Sequence, residues 1–224
     1  MTRFDYAASG TSVATVISGA HRAAWERVAS PGSWWSGAQR VEAARLARDA
    51  RSKRNLPPWQ RQEGRADDGL LPAAAADLVR RVAVDVHTLN ADSVPALVEE
   101  LGDAAYVELC AVVVCVTAID AFAEALGVAP EPLPEPQPGQ PDGQRPDGLA
   151  QAGAFVPMSE GWQGPNVGRA LSLAPADNLT FFGLVGSMYA FSNFAELVWD
   201  DQALSRPQVE LVAARVSAIN ECFY

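Results

Sequence analysis

The stretch that most limits what this chain can fold into runs from Asp103 to Gly127. Leu109, Val112, Val113, Val116, Ile119, Phe122 and Ala123 recur at helical spacing, and most of the intervening positions are apolar too. A helix that is apolar on most faces must be wrapped by other elements, so this one belongs in a core. Its most apolar window, Ala111 to Ala125, is interrupted by Asp120 and Glu124 and is too short to span a bilayer.

The elements available to wrap it are helical as well. Val13, Val16, Ile17, Ala20, Ala24 and Val28 predict a helix from Thr11 to about Ala29, stopped by Ser30-Pro31-Gly32. A second is expected from Gln39 to about Arg54, with Glu42 and then Arg45, Arg48, Arg51 and Arg54 along it; that arginine run reads as a solvated face. A third is expected from Leu71 to about Leu89, and a fourth, capped by Asp92 or Ser93, ends at Gly102. Residues 128–150 are rich in Pro, Gly, Gln, Glu and Asp without periodicity, which predicts an extended, mobile linker. Beyond it, Asn166 to Leu173 can form one helix, and Asp177 or Asn178 can cap a strongly apolar one from Leu179 to Trp199. No alternating strand pattern exceeds a few residues. The fold class expected is therefore all-α, a helical bundle.

Charge and composition exclude several functions. The net charge is −10, from 27 acidic and 17 basic residues, which disfavours a nucleic-acid or anionic-membrane surface. No basic region followed by an apolar run opens the chain, so the cytoplasm is the expected compartment. No Gly-x-Gly-x-x-Gly, P-loop or Gly-x-Ser-x-Gly pattern occurs, so neither nucleotide binding nor serine hydrolysis is expected. His21 and His87 lack partners at ligand spacing, so no metal is expected. Cys110 and Cys115 are five apart on the apolar helix and do not share a face, which points to core packing. Glu108 is expected to face the surface, and the six tryptophans to act as core or interface anchors.

The last segment, Ser205 to Tyr224, carries the chemistry. Ser205 can cap a helix, Pro207 falls in its first turn, and Val209, Val212, Ala213, Val216 and Ile219 lead at helical spacing to Cys222. Glu210 stands twelve residues before that thiol, and Phe223-Tyr224 follow it. This pattern resembles the core motif of the AhpD and carboxymuconolactone decarboxylase-like family, in which a helical glutamate precedes a Cys-x-x-Cys pair by that interval.

The resemblance implies an alkylhydroperoxidase-like oxidoreductase that reduces hydroperoxides through a Cys-x-x-Cys or Cys-x-x-Sec centre. It implies an external thiol reductant, no cofactor and a homo-oligomer. Cys222 would be the resolving thiol and Glu210 the relay or base, while the attacking group would be the residue after Tyr224. The sequence is accordingly expected to be the amino-terminal part of a longer selenoprotein or cysteine homologue, inactive as it stands. In one unbroken helix Glu210 would lie about 18 Å from Cys222, so a break near Asn220-Glu221 or a relay is required.

Aligning Gln39-Arg-Val-Glu42 with Pro207-Gln-Val-Glu210 places Arg54 where Cys222 stands. On that basis two tandem repeats are expected. Residues 11–127 would form a degenerate copy whose motif is cysteine-free, 128–150 a linker, and 151–224 the first half of a second copy. The alternative function is a non-catalytic all-α interaction or oligomerisation module with a decayed redox site.

Overall fold

The protein is all-α. Its structure, a computed structural model, describes residues 4–56, 69–189 and 203–219. The helices described are α1 (Thr15–Ala29), α2 (Gly37–Lys53), α3 (Ala73–Val84), α4 (Val94–Leu101), α5 (Asp103–Ala125), α6 (Pro175–Tyr189) and α7 (Arg206–Ile219). Residues Leu149–Ala150 and Met158–Ser159 form a two-residue antiparallel pair, β1 and β2. That pair is too short for any alternating pattern to announce it.

As its composition requires, α5 is the hub. Leu109, Val112, Val113, Val116 and Ile119 are sealed, and α1, α2, α3, α4 and α6 all pack against it. The expectation that its apolar stretch is too short to span a bilayer is corrected, since the whole 23-residue helix is long and apolar enough to do so; yet most of it is covered by its own neighbours. Trp25, Leu46, Leu78, Val79 and Leu184 complete the core from the surrounding helices. Trp25 and Trp35 anchor the interior, donating their indole N–H groups to the carbonyls of Pro132 and Ala105 at 2.9 Å. Trp34 and Trp162 are exposed, and Trp59 and Trp199 lie outside the described residues.

Local chemistry sets some of the helix ends. Ser36 opens α2 with a capping box: its Oγ accepts from the Gln39 N–H while its own N–H donates to Gln39 Oε1 at 3.0 Å. At the other end of the hub, Gly127 adopts φ +68°, and the Val128 N–H reaches back to the Ala123 carbonyl. Ser93 does open α4, but its hydroxyl donates to the Thr88 carbonyl instead of capping.

Three expectations of extent are corrected. The third helix stops at Val84, because Asp85 leaves helical geometry at φ −132° and only a 3₁₀ turn, Val86–Thr88, follows. The helix expected over Asn166 to Leu173 is a 3₁₀ turn, Asn166–Arg169. The apolar helix begins at Pro175, so Asp177 lies within its first turn and points inward rather than capping; its expected continuation to Trp199 lies outside the described residues.

Residues 128–150, expected as a mobile linker, are extended but pinned along the bundle. The Gln137 N–H donates to the Ala29 carbonyl, the Gly143 N–H to the Ser33 carbonyl, and Arg145 grips both oxygens of Asp103. Gly37 lets this strap approach: a Cβ there would sit 2.3 Å from the Ala29 carbonyl oxygen and 2.6 Å from that of Gln137. Leu171, Leu173, Ala174 and Leu184 then join the same core as α1 to α5, so contacts cross the expected boundary freely.

Candidate functional site

Helix α7 carries the carboxylate expected to act. The Ser205 N–H and hydroxyl both donate to Gln208 Oε1, at 2.8 and 2.9 Å, fixing the helix start. Glu210 follows in the second turn with Arg206 one turn behind it at 3.9 Å, and both side chains are about half exposed. The Tyr189 hydroxyl at the end of α6 also engages Glu210. Partial burial, then the charge and hydrogen bond of Glu210, raise the tyrosine pKa, so the phenol stays a donor to this carboxylate.

Cys222 lies outside the described residues, as do Asn220 and Glu221, where a break was required. From Glu210 the helix runs without interruption to Ile219, a rise of about 13 Å. None of the residues of α7 is buried, and Leu211, Val212, Val216 and Ile219 are half or more exposed.

A denser arrangement, unanticipated from the sequence, joins α1, α2, α5 and α6. The Arg40 guanidinium, fully buried, donates to Glu108 Oε1 and to Asp177 Oδ1, both at 2.6 Å. Arg27 closes the set by gripping both Asp177 oxygens at 2.9 and 2.7 Å. The other Glu108 oxygen accepts from the Trp34 N–H at 2.9 Å. Glu108 is only 1% exposed, so the expectation that it faces solvent is corrected; a carboxylate on a helix apolar all round had nowhere to go but inward. Gly32 makes room for it, since a Cβ there would lie 1.7 Å from Glu108 Oε1.

Burial opposes ionisation of Asp177, but hydrogen bonds and charge from Arg27 and Arg40 outweigh it and hold its carboxyl below the usual range. Two arginines and two carboxylates balance, which is the condition for keeping charge inside a protein. The sequence held a faint signal. Arg40 shares a helical face with Ala43, Ala44 and Ala47, and Asp177 shares one with Phe181, Leu184 and Met188.

The arginine run of α2 is only in part the solvated face expected. Arg45 pairs with Glu42 on its own helix at 2.7 and 2.8 Å. Arg48 turns onto α5, where it grips both Asp120 oxygens at 2.7 Å and stacks 5.2 Å over the Trp25 ring. Arg51 and Arg54 face Glu124.

Of the remaining nucleophiles and bases, Cys115 and His21 are buried and Cys110 is partly so. Burial pushes both the Cys110 and the Cys115 thiol up to about 12, so neither supplies a thiolate near neutrality. His21 is fully buried in a cluster with Phe4, Tyr6 and Phe122, its Nδ1 bonded to the Tyr6 hydroxyl and its Nε2 3.2 Å from Met188 Sδ. Burial lowers its pKa to about 4, which keeps the ring neutral. His87 sits apart on an exposed turn. The chain matches no family model, no curated protein and no solved structure.

Proposed function

We propose that this chain belongs to an AhpD-like thiol or selenol peroxidase, with Cys222 as resolving thiol and Glu210 as proton relay. The observation that supports this reading is the carboxylate of Glu210. It is solvent-reachable, shares a proton-bearing partner in Tyr189, and sits on the helix that leads towards the thiol. Cys110 and Cys115, their thiols pushed up to about 12, are poorly suited to serve instead.

In this reading a thiolate or selenolate following Tyr224 attacks the O–O bond of a hydroperoxide. The new S–O or Se–O bond forms as the alcoholate leaves and takes a proton from the Glu210 relay. Cys222 then attacks the sulfenic or selenenic acid, releasing water and closing an internal bond that an external thiol reductant reopens. The compartment would be the cytoplasm, the assembly a homo-oligomer, and the two glutamate-bearing helices the relics of a tandem repeat.

The test is a chain extended past Tyr224 by a cysteine and the downstream coding sequence, assayed for peroxide consumption with a dithiol reductant. Turnover should vanish in Cys222→Ser and fall about 10²-fold in Glu210→Gln, a general acid–base loss. A trapped oxidised form with no bond to Cys222 would refute the assignment.

The exposed apolar side chains of α7 favour a second reading, a non-catalytic interaction or oligomerisation module. It predicts that the extended chain consumes no peroxide while Leu211→Asp still disrupts its assembly.

A further inference from the structure

A cleft of about 520 Å³ is lined by the loop that joins β1 to β2 and by the 3₁₀ turn Asn166–Arg169 with the residue after it. Its volume falls within the roughly 300–1,000 Å³ of small-molecule sites. The loop turns at Gly153, whose φ of +81° suits glycine, and brings half-exposed Phe155 to one wall. Val167, also half exposed, and Ala170 supply the other, while buried Met158 reaches the cleft from β2. All of its described walls come from residues 152–170.

A polar frame holds these two irregular segments together. The Ser159 N–H and hydroxyl both donate to Ser172 Oγ, at 3.0 and 2.9 Å, and that hydroxyl donates to the Arg169 carbonyl at 2.6 Å. Arg169 returns across the gap, donating one terminal N–H to the Ser159 carbonyl at 3.2 Å. The 3₁₀ turn is tied further by Asn178 Nδ2, which donates to the Gly168 carbonyl, and by the Trp162 ring, which a Cβ at Gly168 would approach to 2.4 Å. Loops fastened to a scaffold in this way present a fixed surface.

The lining has a definite chemistry. Among the described residues every side chain on it is neutral, in a protein of net charge −10, and Asn166 is the polar one. Its Oδ1 accepts from Arg169 Nε and from a terminal nitrogen, at 3.1 and 2.9 Å, which fixes the amide orientation and leaves Nδ2 as a donor at the cleft. The Arg169 guanidinium is committed to Asn166 and Ser159. An entering carboxylate would lose water without meeting a cation, whereas an uncharged acceptor would meet a donor.

We propose that this cleft binds an uncharged, largely apolar small molecule carrying one hydrogen-bond acceptor, such as an amide, ester or ketone carbonyl on an aromatic body. Asn166 Nδ2 donates to that carbonyl, and Phe155 and Val167 flank the apolar body. The site is independent of Cys222 and Glu210, so it stands or falls apart from the peroxidase reading.

The experiment is titration of the full chain with three probes of similar size, read by backbone and side-chain amide NMR signals: acetanilide (neutral, with a carbonyl), propylbenzene (neutral, without one) and phenylacetate (charged). Acetanilide should shift the signals of Gly153, Phe155, Val167 and the Asn166 side chain saturably, with propylbenzene and phenylacetate each about tenfold weaker. Asn166→Asp keeps an oxygen for Arg169 but turns the donor into an acceptor, and should weaken acetanilide about tenfold. Ala170→Phe fills the cleft and should abolish binding of both neutral probes. If that variant fails to fold, Phe155→Ala must weaken acetanilide about threefold. Acetanilide shifts that never saturate at these residues, or saturate only elsewhere, overturn the site. Binding of phenylacetate or propylbenzene as tight as that of acetanilide, or an Asn166→Asp variant that binds acetanilide like the parent, overturns the ligand assignment.

Discussion

Helices α2 and α7 begin alike and end up in opposite environments. Each starts at a serine whose backbone N–H is taken by a glutamine three residues on, and each carries a glutamate in its second turn paired with an arginine on the same helix. Yet α2 buries Arg40, Ala43, Ala44, Leu46 and Ala47, whereas α7 buries nothing. The registers differ too: the caps superpose Ser36 on Ser205, an offset one residue from the pairing of Glu42 with Glu210. Caps and spacing are enough to start a helix. Only neighbours decide what it stabilises.

That contrast can be broken in order of expected effect. Glu108→Ala leaves buried Arg40 without one of its two carboxylates and should cost about 3–5 kcal/mol in urea denaturation, the range for a broken buried ion pair. A loss under about 1 kcal/mol would mean that the four charges do not act as a unit. A pH scan sharpens it next. The folded pKa of His21 is depressed to about 4 from an ordinary value near 6.5, so its neutral form is the one the fold favours. Stability from that difference is complete above about pH 6.5 and falls by up to roughly 1.4 kcal/mol per unit between there and pH 4, and His21→Leu should flatten the decline. Asp177 acts lower still: its depressed pKa keeps its contribution whole above about pH 3.9 and loses it as pH drops through the folded value.

The caps come third. Ser36→Ala should cost about 1 kcal/mol by thermal melting, whereas Ser205→Ala should change the global transition by no more than a few tenths. Smallest of all is Glu210→Ala, expected within about 0.5 kcal/mol, since its partners are solvated. A large effect there would place α7 in the cooperative core.

The same contrast explains what could be foreseen. Helical spacing located α1, α2, α4 and α5, and the apolar surround of Val112 to Ile119 identified the hub. Spacing did not show that Asp85 would end α3, because only the backbone of that one residue departs there while the apolar pattern runs on. Composition made 128–150 extended, but its fastening to Ala29, Ser33 and Asp103 depends on groups about a hundred residues away or more, or about forty in the case of Asp103. The charge centre was hidden for a similar reason. Arg27, Arg40, Glu108 and Asp177 sit on four different helices, and only the topology makes partners of them. Cys222 was legible only as a motif, with no described geometry to set beside it.

The pairing of Arg27 and Arg40 with Asp177 also orders events on the ribosome. The acid lies 150 residues after Arg27 and 137 after Arg40, so at about 5–20 residues per second both arginines precede it by roughly 7–30 s of synthesis. Before then the first four helices can gather around α5, but Arg27 waits for the carboxylate it grips, and Arg40 has Glu108 without Asp177. The nascent bundle therefore stays unlatched, and open to chaperones, until α6 emerges and turns the key.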